Sequence, residues 1–168
     1  TVAAFPQDLS TWEDVIKKPT RLVNMNQLGD ALSKLDSPPI KSLYVYHSNP
    51  AAVTPDQNAV ISGLMREDLF TVVHERFLTD TARYADIVLP ATSSLEHEDI
   101  YRSYGSYVVQ RCEAVIAPIG EAKANWEVFC LLAAGMDMEE PFFEQPASAL
   151  VSQLLAEPNA WRDEAMDK

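Results

Sequence analysis

Three short apolar runs constrain this chain more than any other feature: "IKSLYVYHSNP" (40–50), "LFTVVHE" (69–75) and "DIVLP" (86–90). Each is rich in β-branched or aromatic residues and too short for a stable helix, so each reads as a buried strand. Between the first two lies "TPDQNAVISGLM" (54–65), which predicts a helix with Thr54 as cap, Pro55 at the first helical position and Asp56 in the first turn. Between the second and third lies "TDTARYA" (79–85), room for at most two helical turns. Strand, helix, strand, short helix, strand at this pitch implies parallel strands joined by crossovers. The predicted fold is therefore α/β: an open, doubly wound, mostly parallel, Rossmann-like sheet flanked by helices.

The flanks fit around this unit. Residues 1–39 read as a helical approach segment. Within it "STWEDVIKK" (10–18) carries a capping-box pattern, and "NMNQLGDALSKL" (24–35) places Met25, Leu28, Leu32 and Leu35 on one apolar face. "DSPP" (36–39) then stops the helix, because proline lacks the amide donor. Residues 40–156 form the predicted α/β domain. Inside it, 93–118 reads as an extended excursion or a hairpin with Gly105 in its turn. "EAKANWEVFCLLAAGM" (121–136) predicts a helix with Trp126, Phe129, Cys130 and Ala133 on one stripe and Gly135 near its end. "PASALVSQLL" (146–155) predicts a last helix, and 157–168 a loose tail.

Composition narrows the function classes. A net charge of −12 gives no Lys/Arg stripe for a nucleic-acid backbone and opposes an anionic membrane surface. The longest apolar run, "VFCLLAAGM" (128–136), falls far short of a bilayer span, so no membrane segment is expected and a cytoplasmic location is favoured. Cys112 and Cys130 are widely separated and form no metal or iron–sulfur signature. Glycine-rich dinucleotide and phosphate loops, the GxSxG elbow and HExxH are all absent from the sequence. The chain begins with Thr1, not Met, and is read as a trimmed product or an excised piece.

In open parallel sheets, ligands bind beyond the carboxyl ends of the strands. That rule selects "HSNP" (47–50) after the first strand and "HERFLTDTA" (74–82) after the second, both expected on one edge. A carboxylate at Glu75, with hydroxyls at Thr79 and Thr81, can read a purine edge: guanine offers N1–H and N2–H₂ to a single carboxylate. Asn49 and nearby amides can hold a ribose or phosphate. Plainer readings stand beside these. Thr79-Asp80-Thr81 also fits an ordinary helix cap, Asn49-Pro50 a simple turn, Glu75 a solvated charge, and His47, His74 and His97 structural roles. "EHED" (96–99) does not place its carboxylates on one helix face, which argues against a metal site.

Taken in order, "YHSNPAAVTPDQ", "REDLFTVVHERFLTDTARYADIVLPATSSLEHED" and "IAPIGEAKANWEVFCLLAAGM" resemble the molybdopterin oxidoreductases of the dimethyl sulfoxide reductase family, over roughly 40–136. "EHEDIYRSYG" is most similar to the biotin sulfoxide reductase-like branch. Asp99-Ile100 stands where formate dehydrogenases and nitrate reductases carry Gly-Thr. The resemblance implies molybdenum, or tungsten, on two pyranopterin guanine dinucleotides (molybdopterin guanine dinucleotide). It implies a domain that holds the guanosine end of one of them through Ser48, Asn49, Pro50, Glu75 and Thr79. Glu75 replaces the more frequent Asp. Two-electron redox or oxygen-atom transfer on a small-molecule substrate would belong to the intact enzyme. The metal ligand, and any iron–sulfur cluster, are assigned to other parts of a longer chain. No catalytic residue is named, the piece alone is expected to be inactive, and its exposed edges favour self-association. The alternative is a non-catalytic scaffold that keeps the fold without the cofactor.

Overall fold

The computed structural model describes residues 21–105 and 109–156. The predicted helix over 10–18 and the tail from 157 lie outside the described residues. Contacts divide the chain into two compact units. One holds Arg21–Ser93 and Pro118–Asn125, and the other holds Ser94–Ala117 with the chain from Trp126 onward.

The first unit carries the sheet. Strands β1 (Ser42–Tyr46), β2 (Phe70–Glu75) and β3 (Ile87–Pro90) lie in the order β1-β2-β3 and pair in parallel, flanked by helices. Tyr46 stands opposite His74, and Glu75 opposite Pro90. The strands sit where the apolar runs place them. β3 departs from expectation in one respect: it was read as a buried strand, yet Ile87 and Val88 are 43% and 38% exposed. It is the outer strand of this three-stranded sheet, so one side has no strand neighbour to cover it. Asp86 fixes where β3 begins. Its carboxylate accepts the Thr71 N–H at 2.7 Å and its own N–H donates to the Thr71 carbonyl at 2.9 Å.

Helix α1 (Leu28–Lys34) follows a 3-10 turn over Met25–Gln27, which splits the single helix expected there. Leu32 is fully buried and Leu28 packs on the core, but Met25 is 72% exposed, so the predicted apolar face is shorter than its spacing implied. The helix expected to start at Thr54-Pro55 is two helices. α2 (Pro50–Val53) begins with Pro50 at its first turn, and α3 (Gln57–Leu64) is capped by Asp56, whose side chain accepts the Ala59 N–H at 3.2 Å. Asp56 adopts φ 54°, a left-handed kink that separates the two. Thr54 and Pro55 form that corner.

α1 and α3 touch through glycine. A Cβ on Gly63 would lie 2.6 Å from the Leu32 Cβ, and one on Gly29 would lie 2.8 Å from the Val60 backbone N. The glycines therefore set the closeness of the pair. The core beneath is Leu32, Ala51, Val60, Leu64 and Leu69, and a second cluster joins Val45, Val73 and Ala82 across the sheet. Arg66 locks the corner after α3. Its guanidinium donates to the carbonyls of Leu32 and Ile40 and pairs with Asp68, which Lys41 also reaches.

In the second unit β4 (Asp99–Arg102) and β5 (Val109–Cys112) pair antiparallel as the predicted hairpin, with Gly105 at φ 72° in the connection. α4 (Asn125–Gly135) ends in a Schellman turn: the Met138 N–H reaches the Ala133 carbonyl and Asp137 N–H reaches Ala134. The left-handed residue is Asp137 (φ 54°), and Gly135, expected near the helix end, is the last residue of α4. Trp126 stacks on Phe143 at 5.9 Å, meets Phe142 edge-on at 5.0 Å, and donates its indole N–H to the Gln145 carbonyl. α5 (Ala147–Ala156) matches the last predicted helix. Neither cysteine is in a disulfide, and burial pushes the Cys130 thiol pKa up, aided by Glu127.

Candidate functional site

The parallel register puts the ends of β1 and β2 on one edge, and the chain turns abruptly at both. After Tyr46, His47 takes φ 49°, a conformation that costs a non-glycine residue roughly 1 kcal/mol. This turn carries the exposed Ser48 outward and brings Asn49 and the buried Pro50 back as the start of α2. After Glu75 the chain passes through the exposed Phe77 and Leu78 to Thr79, then into a 3-10 turn over Thr81–Tyr84.

Asn49 and Thr81 join these two loops. The Asn49 Oδ1 accepts the Thr81 N–H at 3.1 Å and its hydroxyl at 2.8 Å, while the Thr81 Oγ1 accepts the Ala51 N–H at 3.0 Å. The Asn49 amide N–H also donates to Asp80 at 3.4 Å. The other predicted residues have separate settings. Thr79 Oγ1 accepts the Ala82 N–H at 3.3 Å, so Thr79 caps the turn and Asp80, which makes no side-chain cap, does not. Glu75 is not a solvated charge: its side chain is 9% exposed and one oxygen accepts the Arg76 N–H at 2.7 Å. Asn49-Pro50 is a helix start, not a simple turn.

A third segment completes the rim. Residues 118–125 return to the sheet edge, where Lys123 pairs in parallel with Ala91. The Lys123 N–H donates to the Pro90 carbonyl at 3.1 Å, and its carbonyl accepts the Thr92 N–H at 3.2 Å. The same carbonyl takes a bond from His74. That ring is fully buried, and its Nε2–H donates to Lys123 at 3.1 Å, which fixes the tautomer; Nδ1 makes no hydrogen bond among the described residues. Burial is the main cause holding the His74 pKa below its ordinary value, and the Lys123 carbonyl opposes it. Asn125, the first residue of α4, donates its amide N–H to the His47 Nε2 at 3.2 Å. Its Oδ1 is buried and without a partner among the described residues.

Sequence reasoning placed Ser48, Asn49, Pro50, Glu75 and Thr79 near this edge, and the structure brings their two loops together. It missed the bonds of Thr81, the partners of His47 and His74, and Asn125 altogether. The available signal for Asn125 was the polar residue opening the α4 helix. Among the described residues no group of His, Cys, Asp or Glu is arranged to hold a metal ion. Nor does any helix there have the length and apolarity to cross a membrane.

A parallel α/β sheet whose strand ends converge on one polar rim defines a ligand-binding class of domain. The family model for molybdopterin oxidoreductase matches residues 12–134, and the chain belongs to that family. It is 50% identical over 147 residues to a probable oxidoreductase, YoaE, of Bacillus subtilis (strain 168), covering 87% of this chain and 22% of that protein. It is 33% identical to the trimethylamine-N-oxide reductase of Haemophilus influenzae over 84% of this chain and 16% of the relative. The acetylene hydratase of Pelobacter acetylenicus superposes with a TM-score of 0.63 at 29% identity, covering 70% of this chain and 16% of that one. The chain thus spans between about a tenth and about a fifth of the length of the relatives it matches.

Proposed function

We propose that this segment seats the guanosine end of one molybdopterin guanine dinucleotide in a longer oxidoreductase, along the rim formed by Ser48, Asn49, Pro50, Glu75 and Thr79. The observation that carries the reading is the Asn49–Thr81 tie, which draws the two selected loops onto one edge. The acceptor set suits the N–H edge of a purine. Glu75 uses one acceptor position on Arg76 and keeps others for a pair of N–H donors. The buried Oδ1 of Asn125 is a second acceptor, without a donor among the described residues, and Phe77, 73% exposed and two positions past Glu75, offers an aromatic face.

In this reading the group supplies two-electron redox or oxygen-atom chemistry when bound, with molybdenum or tungsten as the metal. This chain's residues bind and orient the nucleoside tail. Residues 40–156 form the binding domain, the catalytic machinery lies in the rest of a longer chain, and the segment alone is inactive. The test is the guanine nucleotide and metal content of the intact protein carrying Glu75→Ala. Loss of a charged hydrogen bond at this position weakens binding by about 1–3 kcal/mol, so nucleotide per protein falls. Wild-type nucleotide content in that variant would refute the assignment.

A further inference from the structure

We propose that Asn49 and Thr81 act as positioning residues: a reciprocal cross-cap that locks the two binding loops together. The argument starts from hydrogen-bonding capacity. An amide oxygen has two lone pairs, and both of those on Asn49 are taken by Thr81, one by its backbone N–H and one by its hydroxyl. One Asn49 amide hydrogen goes to Asp80. Thr81 is fully buried, donates its hydroxyl to Asn49 and accepts from Ala51. Between them the two side chains retain one Asn49 amide hydrogen and one lone pair on the buried Thr81 oxygen.

The exchange is crossed. Asn49 stands at the cap position of α2, yet its side chain serves an amide at the start of the Thr81–Tyr84 turn. The missing α2 cap is supplied by the Thr81 hydroxyl, from 30 positions along the chain. Each loop thus satisfies the orphan donors of the other, so neither can shift without stranding buried polar groups. Glu75 and Thr79 ride on the second loop, Ser48 and Pro50 on the first. The geometry stands on its own; its bearing on ligand rests on the guanosine reading above.

The experiment uses the intact protein with Asn49→Ala, Thr81→Val and Thr81→Ser. Glu75→Ala tests the reading itself, and Val60→Ala serves as a core variant that removes none of these hydrogen bonds. Two quantities are measured: hydrogen–deuterium exchange over 77–85, and guanine nucleotide released by acid per protein. Asn49→Ala and Thr81→Val are expected to speed exchange there by about tenfold or more and to lower bound nucleotide. Thr81→Ser, which keeps the hydroxyl, preserves both, and Val60→Ala keeps its nucleotide despite lower stability. Unchanged exchange in Asn49→Ala and Thr81→Val overturns the cross-cap. Faster exchange with full nucleotide, while Glu75→Ala loses it, overturns the positioning role and leaves the binding reading intact. Full nucleotide in both Thr81→Val and Glu75→Ala sinks the reading and the positioning role together. Should Thr81→Val not fold, loss of nucleotide in Thr81→Ser also counts against the proposal.

Discussion

His74 and Lys123, 49 positions apart, meet at the carboxyl edge of the sheet, where the buried imidazole donates its Nε2–H to the Lys123 carbonyl at 3.1 Å. A fully buried ring with one bonded nitrogen tolerates the neutral form and resists the second proton.

That preference sets a pH dependence. The folded pKa of His74 lies below its ordinary 6.5, so the unfolded chain takes the proton first as pH falls. The contribution to stability is complete above about pH 6.5 and declines through the interval down to the folded pKa, by at most about 1.4 kcal/mol per pH unit. Denaturant unfolding of wild type and His74→Gln between pH 8 and about 4.5 isolates the effect by difference. The variant should lose the part of the slope that His74 supplies, and parallel curves would count against it.

Gly63→Ala tests how tightly α1 and α3 are set. The new methyl meets the Leu32 side chain at 2.6 Å, and overpacking of this kind costs roughly 1–3 kcal/mol. Gly29→Ala, which meets Val60 backbone N at 2.8 Å, should cost at least as much, since a backbone cannot rotate away. Thermal unfolding decides; a melting temperature equal to wild type would mean the helices stand further apart.

Asp86→Ala removes the carboxylate that receives the Thr71 N–H and leaves the strand start with one backbone bond. The loss should be about 1–2 kcal/mol, and Asp86→Asn, whose amide oxygen still accepts, should recover much of it. Equal destabilisation by both replacements would show that the charge, not the acceptor, matters there.

Trp126→Ala breaks a stacked and edge-on aromatic group together with a bond to the Gln145 carbonyl. Because Trp126 is only partly buried, the expected cost sits toward the lower end of the ~3–5 kcal/mol for large aromatic truncations. Chemical denaturation measures it, and guanine nucleotide content should stay at the wild-type level.

The strands were legible because continuous β-branched runs leave few other places for apolar mass, and parallel order followed from the spacing between them. Helix starts were harder. Thr54-Pro55 carries the same local signals as a true cap, and only the left-handed Asp56 separates the two short helices. Gly135 marked the end of α4, but the left-handed residue that closes its turn is Asp137, two positions on, which carried no local signal. At the rim, the residue types were readable but their duties were not. The tie between Asn49 and Thr81 was not readable because the two stand 32 positions apart, nor was the bond from Asn125 to His47, 78 positions away.

The Ala91–Lys123 pairing has a consequence for biosynthesis. A nascent chain that has emerged as far as Ser93 already owns all three strands, but the peptide that seals the edge over His74 has yet to leave the ribosome. The hairpin residues must be translated first, so His74 lacks its Lys123 acceptor through that delay.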